Sequence, residues 1–222
     1  EDYFFYNPQY EMLVSWAANT ICISKPFLPH RIPIDDSKLP LKGKHNKENI
    51  QAALCVADIF NISEVDVAGA IQSFQPLPHR LQNIGTYKGI TFYDDAISTT
   101  PQSTLAALDA IQGVDTILLG GQDRGYDFST LVDDIKKRNI KNIVLFPDSS
   151  AAIKKALQDQ GVTISHLLET KDMEEAVKFA YSYSQKGATC LLSTASPSYS
   201  VWKNFEEKGD LFRLYVQTYG KK

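Results

Sequence analysis

The chain has 222 residues, 43% of them hydrophobic and 22% charged. That composition excludes a disordered, collagenous or coiled-coil protein and fits one large domain, or one domain with part of another, with enough chain to bury a core without disulfide staples. Lys and Arg total 23 against 26 Asp and Glu, a net charge of −3, which argues against a nucleic-acid or anionic-membrane surface. The three cysteines, Cys22, Cys55 and Cys190, form no CxxC pair and no His/Cys cluster. They are expected to be buried, reduced thiols in a cytosolic setting, with no disulfide framework and no metal site. There is no apolar run of about 18 residues and no secretory signal pattern. The opening, EDYFFYNPQYEML, lacks an initiating Met and reads as the interior of a longer protein.

Residues 1–45 combine a β-rich run at Asn19–Ser24 with proline-laden connections. They predict strands and loops at a sheet edge, with no sustained helical period. Tyr3, Phe4, Phe5, Tyr6 and Tyr10 are expected to pack in a core or sheet. From His45 the spacing of Ile50, Ala53, Leu54, Ala57 and Phe60 predicts a helix, with Asn46 as N-cap. A second helix is predicted over Glu64–Phe74, turning Val65, Val67, Ala68 and Ile71 inward and stopping before Pro76 and Pro78.

After Arg80, short apolar β-branched runs alternate with helical patterns. Strands are predicted at Gly89–Asp94, Thr116–Leu119, Asn142–Phe146, Thr163–Leu167 and Thr189–Ser193. Helices are predicted at Gln102–Ala110, Ser129–Arg138, Ser149–Gln158, Met173–Ser184 and Asn204–Thr218. This alternation specifies an α/β fold, a parallel sheet with helices on both faces. A boundary near Pro76–His79 gives domains 1–78 and 79–222.

Ligands of open parallel sheets sit outside the carboxyl ends of the strands. Four segments follow the strands there: DAISTTPQST, GGQDRGYDF, PDSS and TASPSYSVWKNF. Asp94-Asp95 reads either as an acceptor for a ribose or ion, or as a turn with an N-cap. Ser98, Thr99 and Thr100, ahead of Pro101, carry the same two readings. Gly120-Gly121-Gln122-Asp123-Arg124-Gly125 offers close backbone approach and a bidentate guanidinium, or a plain Gly/Asp-rich turn. It is neither a Walker A loop nor GxGxxG. His79-Arg80 offers a cation to a phosphate at the junction, or is an ordinary exposed pair. His30 and His166 are given no role.

Six strings occur in order over residues 43–212: GKHNKEN, FQPLPHR, YDDAISTTPQST, LLGGQDRGYDF, LLSTASPSYS and WKNFEEKGDLF. Together they resemble the glutamate-adding branch of the Mur ligases. The resemblance implies that residues 79–222 form a C-terminal, Rossmann-like, doubly wound and mostly parallel domain that binds glutamate. Residues 1–78 would be the β/α tail of a central ATPase domain whose P-loop is not in this sequence. It implies a bacterial, cytoplasmic, ATP-dependent acid–amino-acid ligase of peptidoglycan biosynthesis, acting through an acyl phosphate. The whole enzyme would use ATP and Mg2+ to join glutamate, D-glutamate in the first instance, to UDP-N-acetylmuramoyl-L-alanine.

Residue by residue, the resemblance places Asn49 at the adenine, His79 and Arg80 near the nucleotide phosphates and Asp95 at the ribose. Thr99, Ser198 and Phe205 line the glutamate pocket, and Arg124 stands where a lysine is usual. Ile97 also replaces a lysine, which opens the reading of an L-glutamate-adding relative. The alternatives are a binding module that keeps the fold without the chemistry, and a different amino-acid adder such as a folylpolyglutamate synthase. Without the P-loop, this stretch alone is expected to be inactive. Unpaired strands in residues 1–75 are expected to promote self-association.

Overall fold

The computed structural model describes residues 2–28, 31–41 and 43–221; His30 lies outside them. The chain divides into two units, Glu1–Pro76 and Leu77–Lys222.

In the first unit, β1 (Tyr3–Tyr6) pairs in parallel with β2 (Ile23–Pro26), Tyr3 opposite Ile23 and Tyr6 opposite Pro26. Parallel neighbours need a crossover, and α1 (Glu11–Asn19) supplies it. This corrects the expectation of strands and loops alone. The apolar residues of α1, Met12, Leu13, Val14, Trp16, Ala17 and Ala18, are spread round the helix instead of forming one stripe, and none of its residues is buried. Tyr3 stacks on Phe5 at 6.0 Å and Phe4 on Tyr6 at 5.8 Å, the pairing of alternate residues on each face of a strand. Tyr10, expected to pack, is exposed just ahead of α1.

Next come α2 (Lys44–Ile59) and α3 (Glu64–Ser73). Gly43, at φ 95°, is the N-cap of α2. The expected cap, Asn46, lies buried inside the first turn instead. Ser63 Oγ caps α3 by accepting the amide of Asp66. Val65, expected inward, is 81% exposed; Val67, Ala68 and Ile71 are half-buried.

The second unit holds a six-stranded sheet: β3 (Gln82–Tyr87), β4 (Ile90–Asp94), β5 (Val114–Gly120), β6 (Asn142–Phe146), β7 (His166–Glu169) and β8 (Thr189–Leu192). Its order is β3-β4-β8-β5-β6-β7. All pairings are parallel except β3 with β4. The β3 edge strand was not predicted. It forms a hairpin with β4 through Lys88 and Gly89, both at positive φ (52° and 83°), as a tight two-residue turn requires. The last parallel strand starts at His166 rather than Thr163, where the amides of Ser165 and His166 reach Lys141 O.

Helices α4 (Pro101–Ala110), α5 (Ser129–Lys137) and α6 (Ser150–Asp159) cover one face; α7 (Met173–Tyr183) and α8 (Phe205–Gly220) cover the other. Strand side chains alternate between the two layers. Ile117, Leu119, Ile143, Leu145 and Leu191 join the first; Leu118, Val144, Phe146, Cys190 and Leu192 join the second. Burial on both faces explains why these strands read as continuous apolar runs. Each such side chain contributes about 1.5–3 kcal/mol. Cys55 and Cys190 are buried free thiols, while Cys22 is only half-buried.

The chain leaves β4 and β5 toward helices on one face and β8 toward α8 on the other. Connections therefore diverge around β8, the topological switch at which such sheets bind ligands.

Candidate functional site

Backbone hydrogen bonds lock the segments after β4, β8, β5 and β6 together. Asp95 N donates to Leu192 O (2.8 Å), Gly120 N to Thr194 O (2.8 Å) and Gln122 N to Pro197 O (2.8 Å). The amides of Asp148 and Ser149 both donate to Gly121 O, at 2.6 and 2.8 Å. The paired glycines make this closeness possible. A Cβ on Gly120 would stand 2.2 Å from Phe146 O, and one on Gly121 would stand 2.2 Å from Pro197 O. Their φ values, 101° and 149°, also disfavour any other residue. The glycines thus admit neighbouring backbone.

A buried polar cluster lies along the same edge. His79 Nδ1–H donates to Asp94 Oδ2 at 2.7 Å, and Nε2 lies 3.8 Å from Asp210. The hydrogen bond to Asp94 is the main cause of a raised His79 pKa, partly opposed by burial. Asp95 is 2% exposed. It accepts from Leu81 N, Ser98 Oγ and Ser193 Oγ. Burial raises its pKa to about 6 against those stabilising bonds. Thr194 Oγ1 lies 3.2 Å from Ser98 O and 3.0 Å from Ser196 O, tying the β4 loop to the β8 loop. Thr100 is the N-cap of α4, in a capping box with Ser103, and Pro101 opens the helix. Asp94 and Asp95 are therefore not its cap.

The sequence-selected residues of the second unit fall as follows. Arg80 is half-buried between His79 and Leu81, both at positive φ (61° and 46°), and its Nε is buried without a partner among the described residues. Thr99 is half-buried in the β4 loop, and Ile97 N is tied to His79 O at 3.1 Å. Arg124 is exposed, with Nε and Nη2 both 3.3 Å from Gln122 Oε1. Ser198 is buried, and its Oγ has no partner among the described residues. Phe205 opens α8 and meets the His79 ring edge-on at 6.1 Å. His79, Asp95, Thr99, Arg124 and Ser198 thus belong to segments joined along one sheet edge. In the first unit, Asn49 is exposed on α2 and lines an apolar groove with Ile50, Ala53, Ile71 and Phe74.

Sequence reasoning missed Lys208. It is fully buried, its Nζ donating to Thr194 Oγ1 at 2.6 Å and lying 5.9 Å from the Trp202 ring. Burial lowers its pKa to about 7, against the field of Asp94 and Asp95. The signal was present in the spacing: Phe205, Lys208, Phe212 and Val216 recur at helical intervals, so the lysine stands on an apolar stripe. Among the described residues, no group of three His, Cys, Asp or Glu side chains is arranged to hold a metal. Among them, too, no helix is long and apolar enough to cross a membrane.

Known proteins share sequence and fold with this chain. Residues 79–196 match the family model "Mur ligase, glutamate ligase domain". The chain is 39% identical over 180 residues to the UDP-N-acetylmuramoylalanine–D-glutamate ligase of Streptococcus agalactiae, covering 81% of this chain and 38% of that protein. It is 38% identical over 184 residues to the UDP-N-acetylmuramoyl-L-alanine–L-glutamate ligase of Salinispora tropica, covering 81% and 40%. The chain spans about two-fifths of the length of these curated relatives. Among solved structures, the UDP-N-acetylmuramate-alanine ligase of Thermotoga maritima superposes with a TM-score of 0.59 at 17% identity, covering 82% of this chain and 39% of that one. A pseudomurein peptide ligase type C from Methanothermus fervidus gives 0.56 at 20%, covering 82% and 37%. These structural matches establish the shared fold. With the family model matching more than half of its length, the chain belongs to the Mur ligase family and carries that family's glutamate ligase domain.

Proposed function

We propose that this chain is the glutamate-binding part of an ATP-dependent ligase that joins D-glutamate to UDP-N-acetylmuramoyl-L-alanine in peptidoglycan biosynthesis, in the bacterial cytoplasm. The observation that carries the reading is Ser198 Oγ, buried and without a partner among the described residues, in the loop held at Pro197 O by the amide of Gln122, two residues before Arg124. A buried hydroxyl without a partner is costly, about 1–3 kcal/mol, unless a ligand completes it. An amino-acid carboxylate would do so, and Arg124 supplies the matching charge. Thr99 and Phe205 are assigned to the same pocket.

The reaction needs an acyl phosphate made from ATP and an amine held against it with water excluded. ATP supplies the phosphoryl group. Arg80, with an Nε that has no partner among the described residues and flanked by two left-handed residues, suits a nucleotide phosphate. His79 has both ring nitrogens turned to carboxylates, so its role is to hold the Arg80 turn. Asp95 already accepts three protein donors; a ribose contact would require one of those bonds to open. Asn49 belongs to the partial ATP-binding unit, residues 1–78, and is assigned to the adenine. The remaining phosphate and Mg2+ contacts fall to other parts of the whole enzyme.

L-Glutamate is the second reading, favoured by Ile97 in place of the expected lysine and by the 38% identity to the Salinispora tropica enzyme. Amino-acid-dependent phosphate release by the full-length ligase, assayed with D-glutamate, L-glutamate and alanine, tests the proposal. Turnover with D-glutamate is expected, turnover with L-glutamate alone selects the second reading, and turnover with neither overturns both.

A further inference from the structure

Among the described lysines and arginines, Lys208 alone is buried. Removing an ammonium from water is expensive, and a well-packed apolar residue of similar volume is often neutral or stabilising in its place. The stripe Phe205, Phe212 and Val216 on which it stands would accept Met or Leu. A charge kept there calls for an anion. Lysine carries three donors, and only the bond to Thr194 Oγ1 is made within the described residues. Asp94 and Asp95 act on it through their field alone, and both are already engaged, Asp94 by His79 and Asp95 by Leu81, Ser98 and Ser193.

The residue that Lys208 grips is the joint of the site. Thr194 Oγ1 also faces Ser98 O and Ser196 O, one residue before Thr99 and two before Ser198 along the chain. An acidic amino acid carries a second carboxylate that its amide lacks. Two cations stand on the segments at this edge, Arg124 exposed and Lys208 fully enclosed, so that the lysine reaches the site through Thr194 rather than by direct contact.

We propose that Lys208 is a positioning and specificity-determining residue: its buried ammonium holds Thr194, aligns the Thr99 and Ser198 loops, and makes the site prefer an anionic amino acid over the corresponding neutral amide. This deepens the glutamate reading and rests on it. The depressed pKa of the lysine, about 7, is consistent, because an incoming carboxylate would restore the charge that burial disfavours.

The test compares kcat/KM for glutamate and glutamine in the full-length ligase, as wild type and as Lys208→Met, Lys208→Arg and Thr194→Val. Lys208→Met is expected to lower the glutamate value at least ~10-fold while the glutamine value moves less than ~2-fold, so that discrimination collapses. Lys208→Arg should keep discrimination within ~3-fold because the charge remains. Thr194→Val, which keeps the volume, should lower the glutamate value by ~5-fold and supplies the test should Lys208→Met fail to fold. Equal losses for both substrates, or no loss with glutamate, overturn the proposal. A wild-type enzyme that turns over neither glutamate enantiomer overturns the functional reading itself, and the wild-type assay alone identifies that case.

Discussion

Gly209 has no room for a side chain against His79: a Cβ built on it would stand 2.1 Å from His79 Nδ1 and 2.7 Å from Asp94 Oδ2. The glycine lies inside α8, where Ala would ordinarily be worth about 1 kcal/mol more. Here the added methyl would drive apart the buried pair that anchors the turn carrying Arg80. Gly209→Ala should therefore destabilise the chain by about 1–3 kcal/mol despite its better helix propensity. Urea denaturation measures this, and a neutral or stabilising result would show that the pair yields without loss.

Lys208 and Asp95 make stability depend on pH with opposite signs. The lysine titrates at about 7 in the fold instead of 10.5, so between those values the unfolded chain binds more protons and stability rises with pH. Asp95 titrates at about 6 instead of 3.8, so its contribution is full below its unfolded value and is lost as pH rises through 6. Differences against Lys208→Met and Asp95→Asn isolate each group. The wild type minus Lys208→Met difference should climb by on the order of a few kcal/mol between about pH 7 and 10. A flat difference would place the lysine at its ordinary pKa.

Arg124 is exposed and, among the described residues, held only to Gln122, so its removal should leave folding intact and act on the ligand. Losing a charged hydrogen bond of about 1.5–3 kcal/mol corresponds to about 10–100-fold in glutamate KM or kcat for Arg124→Ala. Steady-state kinetics on the full-length ligase, with an unchanged melting temperature as control, checks this. An unaltered glutamate KM and kcat would remove Arg124 from the pocket.

The first unit has a two-stranded sheet and exposes Tyr10, Met12, Trp16 and Ile21. Open strand edges beside apolar side chains favour pairing between copies. Light scattering of the 222-residue chain should show mass increasing with concentration. A constant monomer mass at high concentration would contradict this.

The doubly wound sheet was legible because its central strands are buried on both faces and so read as apolar runs between amphipathic helices. The β3 edge was missed because it is only half-buried and pairs through a turn with no Asn-Gly signal. α1 was missed because its apolar residues are spread round it instead of marking one face. At the site, the spacing marked Arg124 and Ser198 without resolving ligand contact from turn chemistry. It also misplaced the purpose of Gly120 and Gly121, since which backbone they admit depends on strand order rather than local sequence. Lys208 was overlooked because a lysine within KNFEEKGDLF looks solvated until the stripe through Phe205, Phe212 and Val216 is traced.

The most direct test of the central claim, that Ser198 Oγ is completed by the incoming amino acid, is the glutamate KM of the full-length ligase carrying Ser198→Ala. The account predicts a rise of about 10-fold, with the KM values for ATP and the UDP-linked precursor unmoved. An unchanged glutamate KM in a folded, active variant would contradict it.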